Sequence, residues 1–594
     1  MMDGGLNDGA VLGVARSATG RRWIWRQGEA RTGLGIAQRL GLPEILGRLL
    51  AARGVGIEDA PHFLEPTLRA LLPDPSCLRD MDLAAARLAD AAERGESVVV
   101  FGDYDVDGAC SGALMVRLLR ELGCPVVHYV PDRIEEGYGP NPAAIAKLCD
   151  GGATLIVTVD CGIAAAEALA VAQGRACVVI LDHHKAEGPV PSVRAAVNPN
   201  RLDCESGLTH LCAAGVAFLA AVATLRELRR RGFFAARPEP DLKLYLDLVA
   251  LATVCDVMPL TGLNRALVAQ GLKVMARRER AGIAALLAVA QAKDSPTTHT
   301  LGFMLGPRIN ASGRIAESDL GLRLLVEDDP IEARAMAETL DAVNKRRQEV
   351  EADVLSAAFE AAQKQSDRGH PVILVTGEGW HPGVVGIVAG RIKEKFNRPA
   401  CVAGLAGGLA KGSGRSVPGV DLGAAIIAAR QSGLLQTGGG HPMAAGFSYQ
   451  AARGEEVHAW LDERLAHAAH LPSAADLPVE GTLAVPGATV ATAQEVARLA
   501  PFGAGNDEPV FVLNRARVVR ADRVGKEGNA VRAFLEGEGG GGRLKAICFR
   551  AKEGPLAQAL LGGGHLHLAG HLRAESWNDN VSACFHVVDA APVT

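Results

Sequence analysis

Short apolar runs alternate with helical stretches in the first half of the chain. Runs too short for helices occupy residues 97–101, 126–130, 155–159 and 177–181, and Ala-rich segments with helical spacing separate them. Apolar runs that are buried on both faces and alternate with helices are typical of βαβ units with a mostly parallel sheet. The pattern therefore predicts an α/β domain in this half.

The segments around this domain carry different signals. Residues 1–21 are polar and Gly-rich, which predicts a loose terminus, and residues 44–94 have helical spacing interrupted by prolines. The longest uninterrupted helical pattern covers residues 333–366, where apolar positions follow 3–4 spacing beside a charged face. This pattern predicts a partly solvated connecting helix.

A second α/β pattern begins at Val372 and ends near Leu465. Ser473–Pro478 is typical of a linker, and the short strands and turns that follow, over residues 479–594, predict a small β-domain. At 594 residues, the chain is long enough for three or four domains.

Composition narrows the class of protein. The net charge of -5 gives no global reason to expect nucleic acid, so any DNA-binding surface must be a local basic track. The 12 cysteines form no CxxC pair and indicate reduced thiols of a cytoplasmic protein. We expect neither a secretory signal nor a membrane span, because no apolar run is long enough.

The strongest chemical signal is a set of three aspartates, Asp103, Asp105 and Asp107, directly after the first apolar run. They would point the same way if the backbone stays extended. Ligands of open α/β sheets collect at the carboxyl ends of strands, and clustered carboxylates repel unless a cation is bound. A turn or isolated Ca²⁺ loop is the alternative, but the EF-hand version fails because its twelfth position is Leu114.

Three further segments place acids or imidazoles at element ends: Asp160, Asp182-His183-His184 and Asp256. Each has a simple alternative explanation as a cap or a loop residue, but together they predict one metal site. Oxygen-rich ligation with one or two imidazoles suits Mn²⁺ or Mg²⁺ better than structural Zn²⁺. Two such ions about 4 Å apart would activate a water molecule and neutralise a phosphate.

In their order, these motifs resemble the DHH phosphoesterase superfamily. Five further segments resemble its RecJ family, and the resemblance runs from about Trp23 into the tail: residues 306–314, 379–386, 412–416, 439–447 and 501–506. It implies an α/β multidomain fold. The implied parts are a helical lead-in (1–75), a parallel-sheet DHH catalytic domain (76–325), a connecting helix (326–368), an α/β DHH-associated domain (369–470) and a C-terminal OB-fold β-barrel (471–594).

The resemblance also implies roles for the acidic and imidazole residues. Asp182 and His184 are implied as catalytic, with Asp182 orienting an imidazole and His184 facing the scissile phosphate. Some superfamily members have a histidine where this chain has Phe101, so one metal shell is expected to differ. The implied metal ligands are Asp105, Asp107, Asp160, His183 and Asp256, with Asp103 as a ligand or an outer acid.

Substrate contacts are expected from two groups of residues. Arg, Lys and Ser side chains on a Gly-rich loop suit phosphates, and Gly438–Gly440 would leave backbone N–H groups free as an anion nest. The predicted substrate-binding residues are Arg308, Asn310, Arg314, Lys411, Ser413, Arg415, Ser416, Gly440 and His441. The predicted basic track of the tail consists of Arg515, Arg517, Arg520, Arg523 and Lys526.

The implied function is 5′-to-3′ degradation of single-stranded DNA to mononucleotides in DNA repair and recombination. The implied protein is a monomer that works with a helicase and a single-strand-binding protein. A small-substrate phosphatase and a non-enzymatic replication scaffold are the alternatives. Scaffolds tend to lose metal ligands and small-substrate enzymes need no extra module, so the complete acid set and the long tail favour the exonuclease.

Overall fold

The structure is a computed structural model that describes residues 9–132, 136–186, 188–315, 317–472, 474–525, 528–549, 551–578 and 580–593. The chain divides into two compact units. The first comprises residues 61–347 and 500–507, and the second comprises residues 1–60, 348–499 and 508–594. In the described part of the chain, no helix is both long and apolar enough to cross a membrane.

Residues of the 9–21 segment pack into the fold, so the expectation of a loose terminus is wrong for that part. Val11 and Trp23 are buried, and the Ala18 N–H donates to the Ala590 carbonyl at 2.8 Å. The elements before the five-stranded sheet of the first unit are β1 (Trp23–Trp25), α1 (Ala30–Leu40), α2 (Glu44–Ala52), α3 (Ala60–Leu64), α4 (Leu68–Leu71) and α5 (Met81–Arg94).

The first unit contains a five-stranded sheet whose neighbouring strands all pair in parallel, in the order β3-β2-β4-β5-β6. Val98 and Val100 pack into one apolar cluster and Val99 and Phe101 into another, which explains the unbroken apolar run. Its elements are β2 (Val98–Phe101), α6 (Val106–Glu121), β3 (Val126–Tyr129), α7 (Pro142–Asp150), β4 (Leu155–Val159), α8 (Ala166–Ala170), β5 (Cys177–Leu181) and β6 (Ala195–Val197).

Helices complete this unit. The predicted long helix is confirmed as α15, which continues into the second unit. The helices are α9 (Ala213–Arg230), α10 (Leu246–Cys255), α11 (Gly262–Met275), α12 (Ala281–Val289), α13 (Gly306–Ile315), α14 (Leu320–Val326) and α15 (Pro330–Asp367), with a π-helical turn at Thr300–Leu305.

The second unit contains a mixed sheet in the order β10-β11-β9-β8-β7, in which only β7 and β8 are parallel neighbours. Helices pack against it. The elements are β7 (Ile373–Glu378), α16 (Pro382–Phe396), β8 (Ala400–Ala406), β9 (Leu409–Arg415), α17 (Leu422–Gln431), β10 (Thr437–His441), β11 (Ala444–Gln450) and α18 (Gly454–Arg464).

The tail closes into a five-stranded barrel, because β14-β15-β16-β18-β17 is completed by pairing of β14 with β17. This confirms the OB-type barrel and, with the domains above, the α/β multidomain fold. The predicted linker, Ser473–Pro478, is a linker only in part, because Leu477 belongs to strand β12 and pairs with Trp23 of β1. The elements are β12 (Leu477–Val479), β13 (Gly481–Leu483), α19 (Val490–Ala497), β14 (Phe511–Val524), β15 (Ala530–Glu536), β16 (Arg543–Cys548), α20 (Pro555–Gly562), β17 (Gly564–Trp577) and β18 (Asn580–Pro592).

Candidate active site

The acidic loop after β2 is only partly extended. Asp105 caps helix α6, where its Oδ1 accepts the Gly108 N–H at 3.0 Å, so the helix starts at Val106. The extended backbone on which three alternating carboxylates would point the same way does not continue to Asp107, which already lies in the first helical turn. The aspartate cap satisfies a helical N–H that would otherwise be unpaired, which favours a helix that begins at Val106.

Asp107 is fixed by the next helix of the unit. Its two carboxylate oxygens accept the N–H groups of Ala213 and Ala214 at 2.6 and 2.8 Å, at the start of α9. The His183 Nε2 lies 3.6 Å from Asp107 Oδ2. The carboxylate is buried, and its orientation is set by the backbone of another element.

Asp160 follows β4 in a backbone conformation that is uncommon for a residue with a side chain. Its φ is 59°, in the left-handed region, which Asp and Asn tolerate better than most residues. Its Oδ1 lies 3.3 Å from His183 Nε2 and 3.8 Å from His184 Nδ1. Such a backbone outlier at an acidic cluster is typical of a functional position.

Asp182 organises the two histidines that follow it. Its Oδ1 accepts the N–H groups of His183 and His184 at 2.7 and 3.1 Å and lies 2.8 Å from His184 Nδ1. Its Oδ2 accepts the Ile163 N–H at 3.0 Å. Asp182 therefore orients the His184 ring, while the His183 ring is directed toward the other aspartates.

The pKa of His184 reflects this contact. Burial alone would lower the pKa, but the hydrogen bond and charge of Asp182, with the charges of Asp256 and Asp107, raise it to about 9. The imidazole is 41% exposed on its side-chain surface. At neutral pH His184 is thus a partly exposed cation beside the acidic cluster.

Burial and mutual repulsion keep three of the clustered carboxylates, those of Asp107, Asp160 and Asp256, from ionising easily. Burial is the largest cause of the raised pKa values of Asp107, Asp160 and Asp256, and neighbouring aspartates add to it. The pKa of Asp256, at the C-terminal end of α10, rises to about 8. A bound cation would relieve both causes.

The donor set fits a divalent cation. The Oδ1 of Asp160 and the Oδ2 of Asp256 are buried and accept no hydrogen bond from any residue that the structure describes. Three overlapping groups have ligand atoms within 4.8 Å of one another: Asp103, Asp105 and Asp160; Asp107, His183 and Asp256; and Asp160, His183 and His184. Every predicted metal ligand thus lies in this one cluster.

Three predicted substrate-binding residues lie on α13. Gly313 of this helix packs so closely on the acidic loop that a Cβ would lie 2.9 Å from the Tyr104 Cβ. Arg308 is engaged elsewhere, since its Nε and Nη2 lie 2.9 and 2.8 Å from Asp341 Oδ1. Asn310 and Arg314 are partly buried on the same helix.

The remaining predicted phosphate contacts, apart from Ser416, lie on strands, so the expectation of a Gly-rich loop is wrong for them. Lys411, Ser413 and Arg415 are on β9, and Gly440 and His441 are on β10. Gly438–Gly440 do not form the predicted anion nest, which needs a turn-like backbone, because they lie in the extended strand β10, with Gly439 opposite Gly446. Glycines conceal a strand pattern because they have no side chain with which to show alternation.

Ser416 and Arg415, at the end of β9, differ in how far neighbouring residues already occupy their polar groups. The Ser416 hydroxyl is buried and donates to the Val420 carbonyl at 2.7 Å. The Arg415 Nη1 donates to Ser413 Oγ at 2.9 Å and to the Gly414 carbonyl at 2.8 Å, and burial lowers the pKa of Arg415. A Cβ at Gly386 would lie 3.2 Å from Arg415 Nη2, so the glycine leaves space beside the guanidinium.

Sequence reasoning missed Tyr138. Its hydroxyl donates to the Asp160 carbonyl at 3.1 Å and lies 3.3 Å from both ring nitrogens of His184. It also missed Asn198, whose amide holds the His184 carbonyl at 2.8 Å. The only signal for Tyr138 is its position between two glycines, which does not distinguish a site residue from a turn.

The basic track of the tail is largely paired within the barrel. Arg515 pairs with Glu538 at 3.2 Å, and Arg520 with Asp522 at 2.9 Å. The Arg523 guanidinium donates to the Ala551 carbonyl at 3.3 Å. Arg517 is exposed on β14, and Lys526 lies outside the described residues.

Comparison with known proteins agrees with these domains. "DHH family, N-terminal domain" matches residues 97–253, "DHHA1 domain" matches 369–467 and "RecJ OB domain" matches 479–589. These domains, with the acidic cluster, define a DHH phosphoesterase with a C-terminal barrel.

Relatives specify the family. The single-stranded-DNA-specific exonuclease RecJ of Dickeya dadantii (strain 3937) is 39% identical over 528 residues, covering 86% of this chain and 89% of the relative. The Escherichia coli (strain K12) protein of the same name is 37% identical over 529 residues, with the same coverages. This chain belongs to the RecJ family of single-stranded-DNA-specific exonucleases.

Solved structures agree. RecJ from Thermus thermophilus in complex with Mn²⁺ matches with a TM-score of 0.79 and 29% identity, over 96% of this chain and 79% of that one. The complex of the same protein with Mg²⁺ matches with a TM-score of 0.73 and 28% identity, over 96% of this chain and 78% of that one.

Proposed function

We propose that this protein is a metal-dependent exonuclease that degrades single-stranded DNA from the 5′ end to mononucleotides. The observation that carries the proposal is the acidic cluster at the carboxyl edge of the parallel sheet, in which buried carboxylates with raised pKa values lie side by side. The names of the relatives support the substrate, and the Mn²⁺ and Mg²⁺ complexes of a relative support the use of divalent ions. The 5′ polarity rests on the resemblance alone.

We propose two ions, because two of the ligand groups share no residue. Asp103, Asp105 and Asp160 would hold one ion, and Asp107, His183 and Asp256 the other. Such ions lower the pKa of a water molecule and neutralise charge on the phosphate. Asp160 belongs to the first group, and its Oδ1 also lies 3.3 Å from the His183 Nε2 of the second group, so its charge would serve both.

Asp182 and His184 would act on the substrate side of the cluster. Asp182 holds the imidazole and keeps it protonated, which supports a contact between His184 and a phosphate oxygen. Charge-assisted hydrogen bonds of this kind are about twice as strong as neutral ones. His184 would then stabilise charge on the scissile phosphate rather than bind metal.

Other residues would bind the DNA strand. Arg415, with Ser413, presents a half-buried fork whose depressed pKa favours an anionic ligand. We keep Ser416 as a support of this segment, because its hydroxyl is already used. The remaining proposed contacts are Arg308, Asn310, Arg314, Lys411, Gly440 and His441, with Arg515, Arg517, Arg520 and Arg523 on the barrel.

The wider assignment is also a proposal. It comprises a cytoplasmic monomer that acts in DNA repair and recombination with a helicase and a single-strand-binding protein. We further propose the domain boundaries 76–325, 326–368, 369–470 and 471–594, after a lead-in over residues 1–75.

Oligonucleotides labelled at the 5′ or 3′ end test the activity directly. With Mn²⁺, we expect immediate release of labelled mononucleotide from the 5′-labelled single strand, while the 3′ label stays on shortening fragments. A fully duplex oligonucleotide is the control and should resist. Cleavage restricted to dinucleotides or other small phosphoesters would instead favour the small-substrate phosphatase.

A further inference from the structure

The segment at residues 500–507 has no role in the proposed chemistry, although its sequence forms a distinct motif. In chain order it lies between α19 and the first barrel strand, yet it folds with residues 61–347. We call it the docking segment. It is therefore part of the unit that holds the acidic cluster, about 250 residues from Asp256 in sequence.

The docking segment lies directly against the turn that follows Asp256. A Cβ at Gly503 would lie 2.7 Å from Leu260 Cδ1, and a Cβ at Gly505 would lie 3.1 Å from the Pro259 Cβ. The Leu260 N–H donates to the Ala504 carbonyl at 2.7 Å. A methyl group added at either glycine would therefore press on this turn, and Gly505 also has a φ of +70°.

A buried arginine fixes the start of the segment. Arg265 on α11 is 1% exposed, and its Nη2 and Nη1 donate to the carbonyls of Ala500 and Pro501 at 2.7 and 3.3 Å. Its Nε donates to the Phe63 carbonyl at 2.8 Å, and the guanidinium lies 3.9 Å from the centre of the Phe63 ring. Because a buried cation needs these acceptors, the interaction holds the segment firmly on the unit.

The same segment also contacts the residues that lead into the π-helical turn. The Thr298 hydroxyl donates to the Phe502 carbonyl at 2.6 Å, two residues before this turn begins. At the end of the turn, a Cβ at Gly306 would lie 2.4 Å from the Cys255 Sγ. The residue before Asp256 is thus packed against a structure that the docking segment also holds.

The turn itself needs external support. Val257 has a φ of 58°, an unfavourable conformation for a β-branched residue, and it is exposed. The Asn264 amide donates to the Pro259 carbonyl at 3.1 Å, and the docking segment provides the contact with Leu260. A strained turn persists only where its surroundings determine it, so loss of either contact should release the Asp256 carboxylate.

We propose that the docking segment positions Asp256 and thereby sets the affinity of the ion held by Asp107, His183 and Asp256. This proposal rests on the proposed function, since it assumes that the acidic cluster binds metal. The segment supplies none of the proposed ligands, and its residues are positioning residues. Ending the chain before residue 500 would therefore impair metal binding, and not DNA binding alone.

Gly503→Ala in the full chain is the direct test, with Mn²⁺ binding measured by electron paramagnetic resonance. We expect one of the two classes of Mn²⁺ site to weaken about tenfold, the range found when residues behind metal ligands are changed. The other class should keep its affinity, which a general loss of stability would not allow. Gly487→Ala is the matched control, because its Cβ would meet nothing within 4 Å.

Two further variants make the result decisive. Adding Leu260→Ala to Gly503→Ala removes the clashing methyl group and should restore part of the lost affinity. Thr298→Val removes the hydrogen bond to the Phe502 carbonyl without adding bulk, and it should weaken the same class of Mn²⁺ site. It provides the test if Gly503→Ala does not fold. If Gly503→Ala and Thr298→Val both fold and both bind Mn²⁺ with wild-type affinity, this inference is overturned, while the proposed function still stands. Absence of Mn²⁺ binding by the wild type would overturn the proposed function and the inference with it.

Discussion

The catalytic sheet and the mixed sheet of the second unit bury charge of opposite sign. At the carboxyl edge of the parallel sheet, burial and neighbouring carboxylates raise the pKa values of Asp107, Asp160 and Asp256. On β9, burial lowers the pKa of Arg415, whose Nη1 donates to a hydroxyl and a carbonyl rather than to a carboxylate. A bound cation would relieve the repulsion in the first region and an anion would pair with the guanidinium in the second, as the proposed metal-dependent phosphodiester cleavage requires.

Asp160→Asn should abolish most of the activity that depends on the acidic region. Asparagine tolerates the left-handed backbone at this position, so the fold should survive, whereas alanine would add strain. Losing several kcal/mol of charge stabilisation corresponds to roughly a thousandfold loss of kcat with Mn²⁺. Steady-state cleavage of a labelled single strand measures this loss, and turnover near wild type would refute the assignment.

The exposed carboxylate of Asp328 gives a matched control for that substitution. It pairs with Arg117 at the surface, 79% exposed on its side chain. Asp328→Asn should leave kcat within the error of the assay. Metal-free Asp160→Asn should also unfold at a temperature at least as high as wild type, since it removes a carboxylate from a repelling cluster.

Arg415→Ala should weaken DNA binding by the mixed sheet of the second unit. Loss of one charge-assisted hydrogen bond costs about 1.5–3 kcal/mol, or roughly a ten- to hundredfold loss of DNA affinity. Mn²⁺ affinity should not change, because Arg415 lies on β9 and is not one of the proposed metal ligands. Separate titrations with DNA and with Mn²⁺ check this, with Arg391→Ala as a control for an exposed arginine of the same domain. A fall in metal affinity alone would show that the role is misassigned.

The pH dependence of Mn²⁺ binding tests whether the raised pKa of Asp256 contributes to the acidic region. The folded-state pKa of Asp256 is about 8, above its ordinary value of 3.8, so its contribution to stability is greatest at low pH and is lost as pH rises through 8. Mn²⁺ must displace this proton, so its affinity should rise up to about tenfold per pH unit between pH 6 and 7.5. Calorimetric titrations check this rise. Asp256→Asn should flatten it, and an equally steep rise in that variant would exclude Asp256 as its source.

The barrel gives the smallest expected effect. Arg517 is exposed on β14, and each lost phosphate contact reduces the slope of log affinity against log salt by about 1. Arg517→Ala should show this change on long single strands and none on a trinucleotide. An unchanged salt slope would remove Arg517 from the proposed track.

The parallel sheet and its acids were predictable because both faces of the sheet are buried. Val98 to Phe101 alternate between two cores, so the sequence shows an unbroken apolar run ending in acids. The helical position of Asp107 was not predicted, because α6 begins at Val106, earlier than the apolar pattern indicates. The short strand β6 gave no signal, since Ala195-Ala196-Val197 is too brief to distinguish from a loop.

The rest depends on contacts that local sequence does not encode. Glycines on β9 and β10 look like loops because they show no alternating side chains. Tyr138 contacts His184 across 46 positions, and the docking segment reaches Leu260 from a much later part of the chain. Such contacts are set by the tertiary fold, and only a motif with no evident local purpose points to them.

The central claim is that the acidic edge binds divalent ions that drive cleavage. Titrating the metal-free protein with Mn²⁺, while following release from a 5′-labelled single strand in the same samples, tests it most directly. The account predicts saturation near two ions per chain, with cleavage rising as the second ion binds. Cleavage at full rate without bound metal, or saturable binding that Asp160→Asn leaves unchanged, would contradict it.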